Sequence, residues 1–175
     1  MKLPMNLATH ESFLTDLDAQ RGHTLILGIG NVLMGDEGVG VHLARRLAEV
    51  ELPAGVDLLD GGTGGFHLME YFEAYPKVIL IDATLDGRTP GTIRRLQPKF
   101  ATDFPRAMST HDIGLKDLVG GLTFLGRLPD LQLYAVSIAE VQPMEINLSP
   151  EIEAVMPQLL ETVLADAACE VLEGG

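Results

Sequence analysis

Apolar residues in this chain are gathered into short runs, and polar residues and glycines separate them. Thr24-Leu-Ile-Leu-Gly-Ile-Gly30 is apolar until its glycines, and residues 77–82 are apolar after Lys77 until Asp82 closes them. Short runs of this kind with little polar alternation predict strands covered on both faces. Residues 56–60, 91–96 and 131–138 predict three further strands; the run 91–96 is the most polar and belongs near a sheet edge. Between the strands the spacing becomes helical. Val39, Leu43, Leu47 and Val50 form the buried stripe of a helix over about 37–49, with Arg45, Arg46 and Glu49 off the stripe. A glycine turn, Gly61-Gly-Thr-Gly-Gly65, leads into a second helix over 66–74. Ser109 and Asp112 have capping-box spacing, which starts a third helix near Thr110. Ser149-Pro150-Glu151 opens a fourth, running to about Leu172 with a kink expected at Pro157.

The resulting order is strand, helix, strand, helix, strand, strand, helix, strand, helix. It predicts an α/β fold of three layers: an open, twisted, five-stranded and mostly parallel sheet with helices on both faces. Residues 23–175 read as one α/β domain. Residues 1–22 read as an irregular N-terminal extension, in which Phe13, Leu14 and Leu17 make at most one amphipathic turn. Ligands of such sheets bind outside the carboxyl ends of the strands. The loop after the first strand, the glycine turn after the second and the acid ending the third are therefore expected on one rim.

Composition narrows the function classes. Twelve Lys and Arg against 25 Asp and Glu leave a formal charge of −13. Such a chain repels phosphate backbones and anionic lipid, so neither a nucleic acid nor a membrane surface is the expected partner. A cation or a basic protein segment suits it better. The single cysteine, Cys169, allows neither an internal disulfide nor a multi-cysteine zinc site. It falls late in the last helix and is expected to be packed. The first 20 residues lack the apolar stretch of a signal peptide, and no run is long enough to span a bilayer, so a cytoplasmic location is expected.

The loop Gly30-Asn-Val-Leu-Met-Gly35 has the glycine spacing of a phosphate-binding loop but continues with Asp36-Glu37, where Lys and Ser or Thr would be needed. Two carboxylates there repel a triphosphate. The dinucleotide fingerprint also fails, because Gly28-Ile-Gly30 is followed by Leu33 at the third glycine position. Asp36 and Glu37 otherwise have a plain reading as acids complementing a helix N-terminus. Asp82 ends a buried strand, so its carboxylate needs a cation, donors or a proton. Asp60 is read as an acceptor bracing the glycine turn that follows it. His111 lies where a first helical turn keeps imidazole neutral, fit for ligation or for base chemistry. The other histidines, His10, His23, His42 and His67, read as surface or packing residues. Glu37, Asp82 and His111, from three separate rim loops, make an oxygen, oxygen, nitrogen set suited to nickel or zinc with positions left open. No Gly-x-Ser-x-Gly is present, and Ser109 and Ser149 are helix caps.

Leu27-Gly-Ile-Gly-Asn-Val-Leu-Met-Gly-Asp-Glu-Gly-Val-Gly40 resembles the opening motif of the hydrogenase maturation endopeptidases. Asp60-Gly-Gly-Thr63, Ile81-Asp-Ala83 and His111-Asp-Ile-Gly-Leu115 resemble further motifs of that family in the same order. The resemblance runs from about Thr24 to Val171. It implies an aspartyl-type endopeptidase that removes a C-terminal extension from the precursor of a [NiFe]-hydrogenase large subunit after nickel insertion. Glu37, Asp82 and His111 would be its metal-contacting and catalytic residues. The nickel would be supplied by the precursor, other divalent ions could substitute in vitro, and the enzyme would act as a monomer. Two rivals of other classes use the same residues: a non-catalytic nickel-binding assembly chaperone, and a hydrolase that works through Asp82 and His111 without metal. An acidic rim would also steer a basic precursor tail.

Overall fold

The apolar runs form the strands they predict. In the computed structural model, which describes residues 23–105 and 112–169 (side chains from Gly114 on in the second span), β1 is Thr24–Gly28, β2 Val56–Asp60, β3 Lys77–Thr84, β4 Ile93–Leu96 and β5 Asp130–Ser137. β1 and β3 are buried along their whole length, as continuous apolar runs require. The helices are α1 Val39–Leu47, α2 Met69–Ala74, α3 Asp112–Phe124 and α4 Pro150–Ala168. The order of strands and helices is the expected one. Ser109, His111, Phe13, Leu14, Leu17 and His10 fall outside the described residues.

The sheet order is β2-β1-β3-β5-β4. β1 runs parallel to β2 and β3, and β3 parallel to β5; β4 alone is antiparallel, on β5 at the edge. One face carries α1 and α4 over Ile26, Ile79, Ile81 and Val136. The other carries α2 and α3 over Leu25, Leu27, Leu80 and Leu133. This is the three-layer α/β arrangement. The chain leaves β1 toward β2 on one side and leaves β3 toward β4 and β5 on the other. The carboxyl ends of β1 and β3 therefore flank the topological switch point, where open α/β sheets form their crevice.

Backbone sterics set α1 onto that point. A Cβ at Gly40 would lie within the van der Waals radii of the carbonyl oxygens of Ile29 and Ile81, and one at Gly28 would collide with the Gly40 carbonyl. With hydrogen in place of those side chains, the first turn of α1 rests directly on the ends of β1 and β3. Ile29 then donates its N–H to the Ile81 carbonyl at 3.0 Å, extending the β1–β3 ladder past the formal end of β1.

At the opposite end, a polar network fastens α4 to the sheet. Tyr134 donates its hydroxyl to Asp166 Oδ2 at 2.9 Å, and Arg95 donates to both Asp166 oxygens at 3.0 and 2.8 Å. The buried Lys77 ammonium donates to the Asp166 carbonyl at 3.3 Å. Burial, and then the bond to Asp166, push the Tyr134 phenol up to about 12.

Several local expectations are corrected. The α-helix starts at Val39, and the residues before it, Gly35–Gly38, form a 3-10 turn. Val50 lies beyond the end of α1 and is exposed, because the helix stops before the stripe reaches it. Cys169 is exposed. The buried stripe of α4 is Ile152, Met156, Leu159, Val163 and Ala167, and two positions past Ala167 is about 200° around the axis, facing water. α4 continues through Pro157, which lies on its exposed face, where water can satisfy the carbonyl left without a donor. Among the described residues no helix is long and apolar enough to cross a membrane.

Two outcomes test this account. Gly40→Ala should destabilise the fold by ~3 kcal/mol, outweighing the helix propensity gained, and lower the denaturant midpoint accordingly. The Tyr134 phenol is held protonated in the folded state up to about 12, against an ordinary value of 10.0. Its contribution is therefore complete below pH 10.0 and is lost as pH rises through about 12. Tyr134→Phe should flatten the fall in melting temperature over that interval relative to the parent; an identical slope would remove Tyr134 as its source.

Candidate active site

Glu37 is held in the 3-10 turn that joins the β1 loop to α1, and it is fully buried. Its N–H donates to the Met34 carbonyl at 3.3 Å. Gly30, with φ of +145°, gives the chain the reversal it needs here, and a Cβ on it would strike the Glu37 carbonyl. The Glu37 side chain lines a narrow crevice with Ala83, Thr84, Leu85, Ile138 and Val141. These residues lie at the carboxyl ends of β3 and β5 or just past them.

Asp82 is two residues from the end of β3 and also buried. Strand alternation puts it on the face of Val78 and Leu80, which α2 and α3 cover, whereas Ile79, Ile81 and Ala83 face α1 and α4. Its Oδ1 accepts the N–H of Ala83 at 2.8 Å. The first turn of α3 comes to the same rim, since Gly114 sits against Gly65 of the glycine turn, close enough that a Cβ would be 3.3 Å from the Gly65 Cα. The structure thus brings Glu37 and Asp82 to the switch point between β1 and β3. His111 lies outside the described residues, one position before α3. Among the described residues no three His, Cys, Asp or Glu side chains are grouped closely enough to hold a metal ion.

The neighbouring acids have other work. Asp60 accepts the Gly62 N–H at 3.0 Å and so braces the glycine turn, as its position suggested, with Arg45 at 3.4 Å on its outer oxygen. Asp36 does more than its place in the sequence implies. It is buried; Oδ1 accepts the Ser149 N–H at 2.7 Å, and Oδ2 accepts from Gln142 Nε2 at 3.0 Å. Its own N–H donates to Gln142 Oε1 at 2.9 Å. Ser149 is the N-cap of α4, so the carboxylate complements that helix and not α1. Backbone bonds add to this seam: Gly35 N–H to the Glu145 carbonyl at 2.7 Å and Met144 N–H to the Leu33 carbonyl at 2.8 Å. His42 packs on Gly38 and bonds the Ile146 backbone. Burial, then Arg45 and Arg46, hold its imidazole below the ordinary histidine value. Sequence reading missed Asp36, Gln142 and the 142–146 segment as site architecture, because Asp36 and Ser149 are 113 residues apart and no local pattern links them.

The chain is similar to known proteins in sequence and in fold. The family profile described as hydrogenase maturation protease (HycI) matches residues 41–166. The hydrogenase 2 maturation protease of Escherichia coli K12 is 36% identical over 145 residues, covering 81% of this chain and 88% of that protein. The hydrogenase expression/formation protein HupD of Rhodobacter capsulatus is 39% identical over 126 residues, covering 70% of this chain and 58% of its own length. Among solved structures, the hydrogenase maturating endopeptidase HybD from E. coli superposes with a TM-score of 0.75 at 35% identity, over 82% of this chain and 91% of that one. The [NiFe] hydrogenase maturation protease HybD from Thermococcus kodakarensis gives 0.66 at 27% identity, over 83% and 99%. Sequence, fold and the ordered motifs agree: this chain belongs to the hydrogenase maturation proteases, a family of endopeptidases.

Proposed function

We propose that this protein removes the C-terminal extension of a [NiFe]-hydrogenase large-subunit precursor after nickel insertion, and that Glu37, Asp82 and His111 recognise the nickel the precursor carries. The observation that supports this most is the pair of buried carboxylates at the β1–β3 switch point, one from each side of the sheet edge. Carboxylate oxygens are hard donors that suit a divalent cation, and nickel arriving with the substrate would be such a cation. The nickel is cargo in this reading. Ligands from the enzyme fill positions that an empty precursor would not offer, so loading is tested before cutting. Hydrolysis then consumes one water: a rim carboxylate or His111 takes a proton from it, the oxygen adds to the scissile carbonyl, and the proton passes to the departing peptide nitrogen as the bond breaks. Cys169 lies beyond the far end of α4, and the Ser149 hydroxyl is engaged in capping that helix, so neither is read as the nucleophile. A single chain is sufficient for this chemistry, and a monomer acting on one precursor is the working unit.

Incubation with purified nickel-loaded precursor, read by mass spectrometry, tests this. The parent protein should shorten the precursor at its C-terminus, and Glu37→Gln should slow processing by more than ~100-fold. Stable association with an unchanged C-terminus would replace the protease with the assembly chaperone. Equal cleavage of nickel-free precursor would replace metal recognition with the metal-independent hydrolase.

A further inference from the structure

The seam beside Glu37 carries side chains that its architecture does not need. Leu33, Met144 and Ile146 are 54%, 88% and 60% exposed, although the backbone between them is fixed by the Leu33–Met144 and Gly35–Glu145 bonds. Met144 has φ of +65°, a left-handed conformation uncommon for a residue with a side chain, and it holds the thioether out into solvent. Next to this apolar lip is a groove of about 300 Å³, lined by Gln142, Glu145, Asn147, Leu148, Ser149 and Pro150. Glu145 is its charged group. Its carboxylate accepts the Asn147 N–H at 2.8 Å and Nδ2 at 3.0 Å, bonds that hold it ionised. The lip is continuous with the catalytic rim. Leu33 precedes Met34, whose carbonyl receives the Glu37 N–H, and Asp36 ties Gln142 and Ser149, at either end of the groove, to the turn that carries Glu37.

We infer that the Leu33–Met144–Ile146 lip and the Glu145 groove dock the precursor segment flanking the scissile bond, as an extended peptide whose apolar side chains cover the lip and whose lysine or arginine enters the groove. This rests on the protease reading above and adds the part of the substrate that reading leaves open. Charge complementarity selects the occupant: an anionic groove between apolar side chains, on a chain of net charge −13, favours a basic and apolar segment over an acidic one. Because Asp36 and the seam fix the lip before substrate arrives, a peptide seated on it is already in register with Glu37.

The test is binding of the purified nickel-loaded precursor to full-length protein carrying Glu37→Gln, so that cutting does not intervene. Met144→Ser with Ile146→Ser should weaken Kd about tenfold, the scale of lost apolar burial. Glu145→Gln keeps an acceptor for Asn147 and should weaken binding about threefold at low salt while reducing its salt dependence. Phe124→Ser, 90% exposed at the other end of the strands, should change nothing. In the Glu37 background with its native residue restored, the lip pair should raise KM much more than it lowers kcat. If the parent cuts the precursor and both lip variants bind as tightly as it does, docking elsewhere is established and this inference fails alone. If the parent does not cut but the lip variants still weaken binding, the docking surface stands and the protease reading fails.

Discussion

The contact on which the site depends is between backbones. The first turn of α1 rests on the ends of β1 and β3 with no side chain between, because Gly28 and Gly40 face each other and Gly40 abuts the carbonyls of Ile29 and Ile81. That approach leaves a short path between β1 and α1, which has to turn sharply at Gly30 and again through the 3-10 turn. Glu37 falls on this path. It is buried at the switch point because helix and sheet come too close together for the turn to project anywhere else.

Two adjacent acids at this turn meet different environments. Asp36 is committed to Gln142 and the N-terminus of α4, and its bonds join segments from opposite ends of the chain. Glu37 lines the crevice at the carboxyl ends of β3 and β5. A buried acid engaged by amides, as Asp36 is, acts as a structural fastener between distant segments. The difference between them is one residue in sequence and is decided by which neighbours the fold supplies.

The molecule divides its polar contacts between its two ends. Near the C-terminal end of α4, Asp166 gathers Tyr134, Arg95 and Lys77, holding the helix to three strands. At the carboxyl ends of the strands, glycine turns and backbone bonds bring the loops together, with the Asp36 carboxylate bonded to Gln142 and Ser149. α4 is thus fastened at both of its ends.

The local sequence determined the elements and their order, because strand burial and helix stripes are short-range patterns: Leu25–Leu27 and Val78–Ile81 are apolar on both faces, and Val39, Leu43 and Leu47 recur at helical spacing. It also pointed to Asp82, an acid closing an apolar run, to Glu37, which stands with Asp36 where a phosphate-binding loop would need Lys and Ser or Thr, and to Asp60 as the brace of its own glycine turn. The tertiary structure decided what depends on distant segments meeting. The place of β1 between β2 and β3, the antiparallel edge strand, the pairing of residues 33–35 with 142–145 and the capture of Ser149 by Asp36 were all of this kind. It also decided small angular matters, such as the exposure of Cys169 once α4 had fixed which face it buries. Periodicity reports what a segment needs from its surroundings, but only the packed chain specifies which segment provides it.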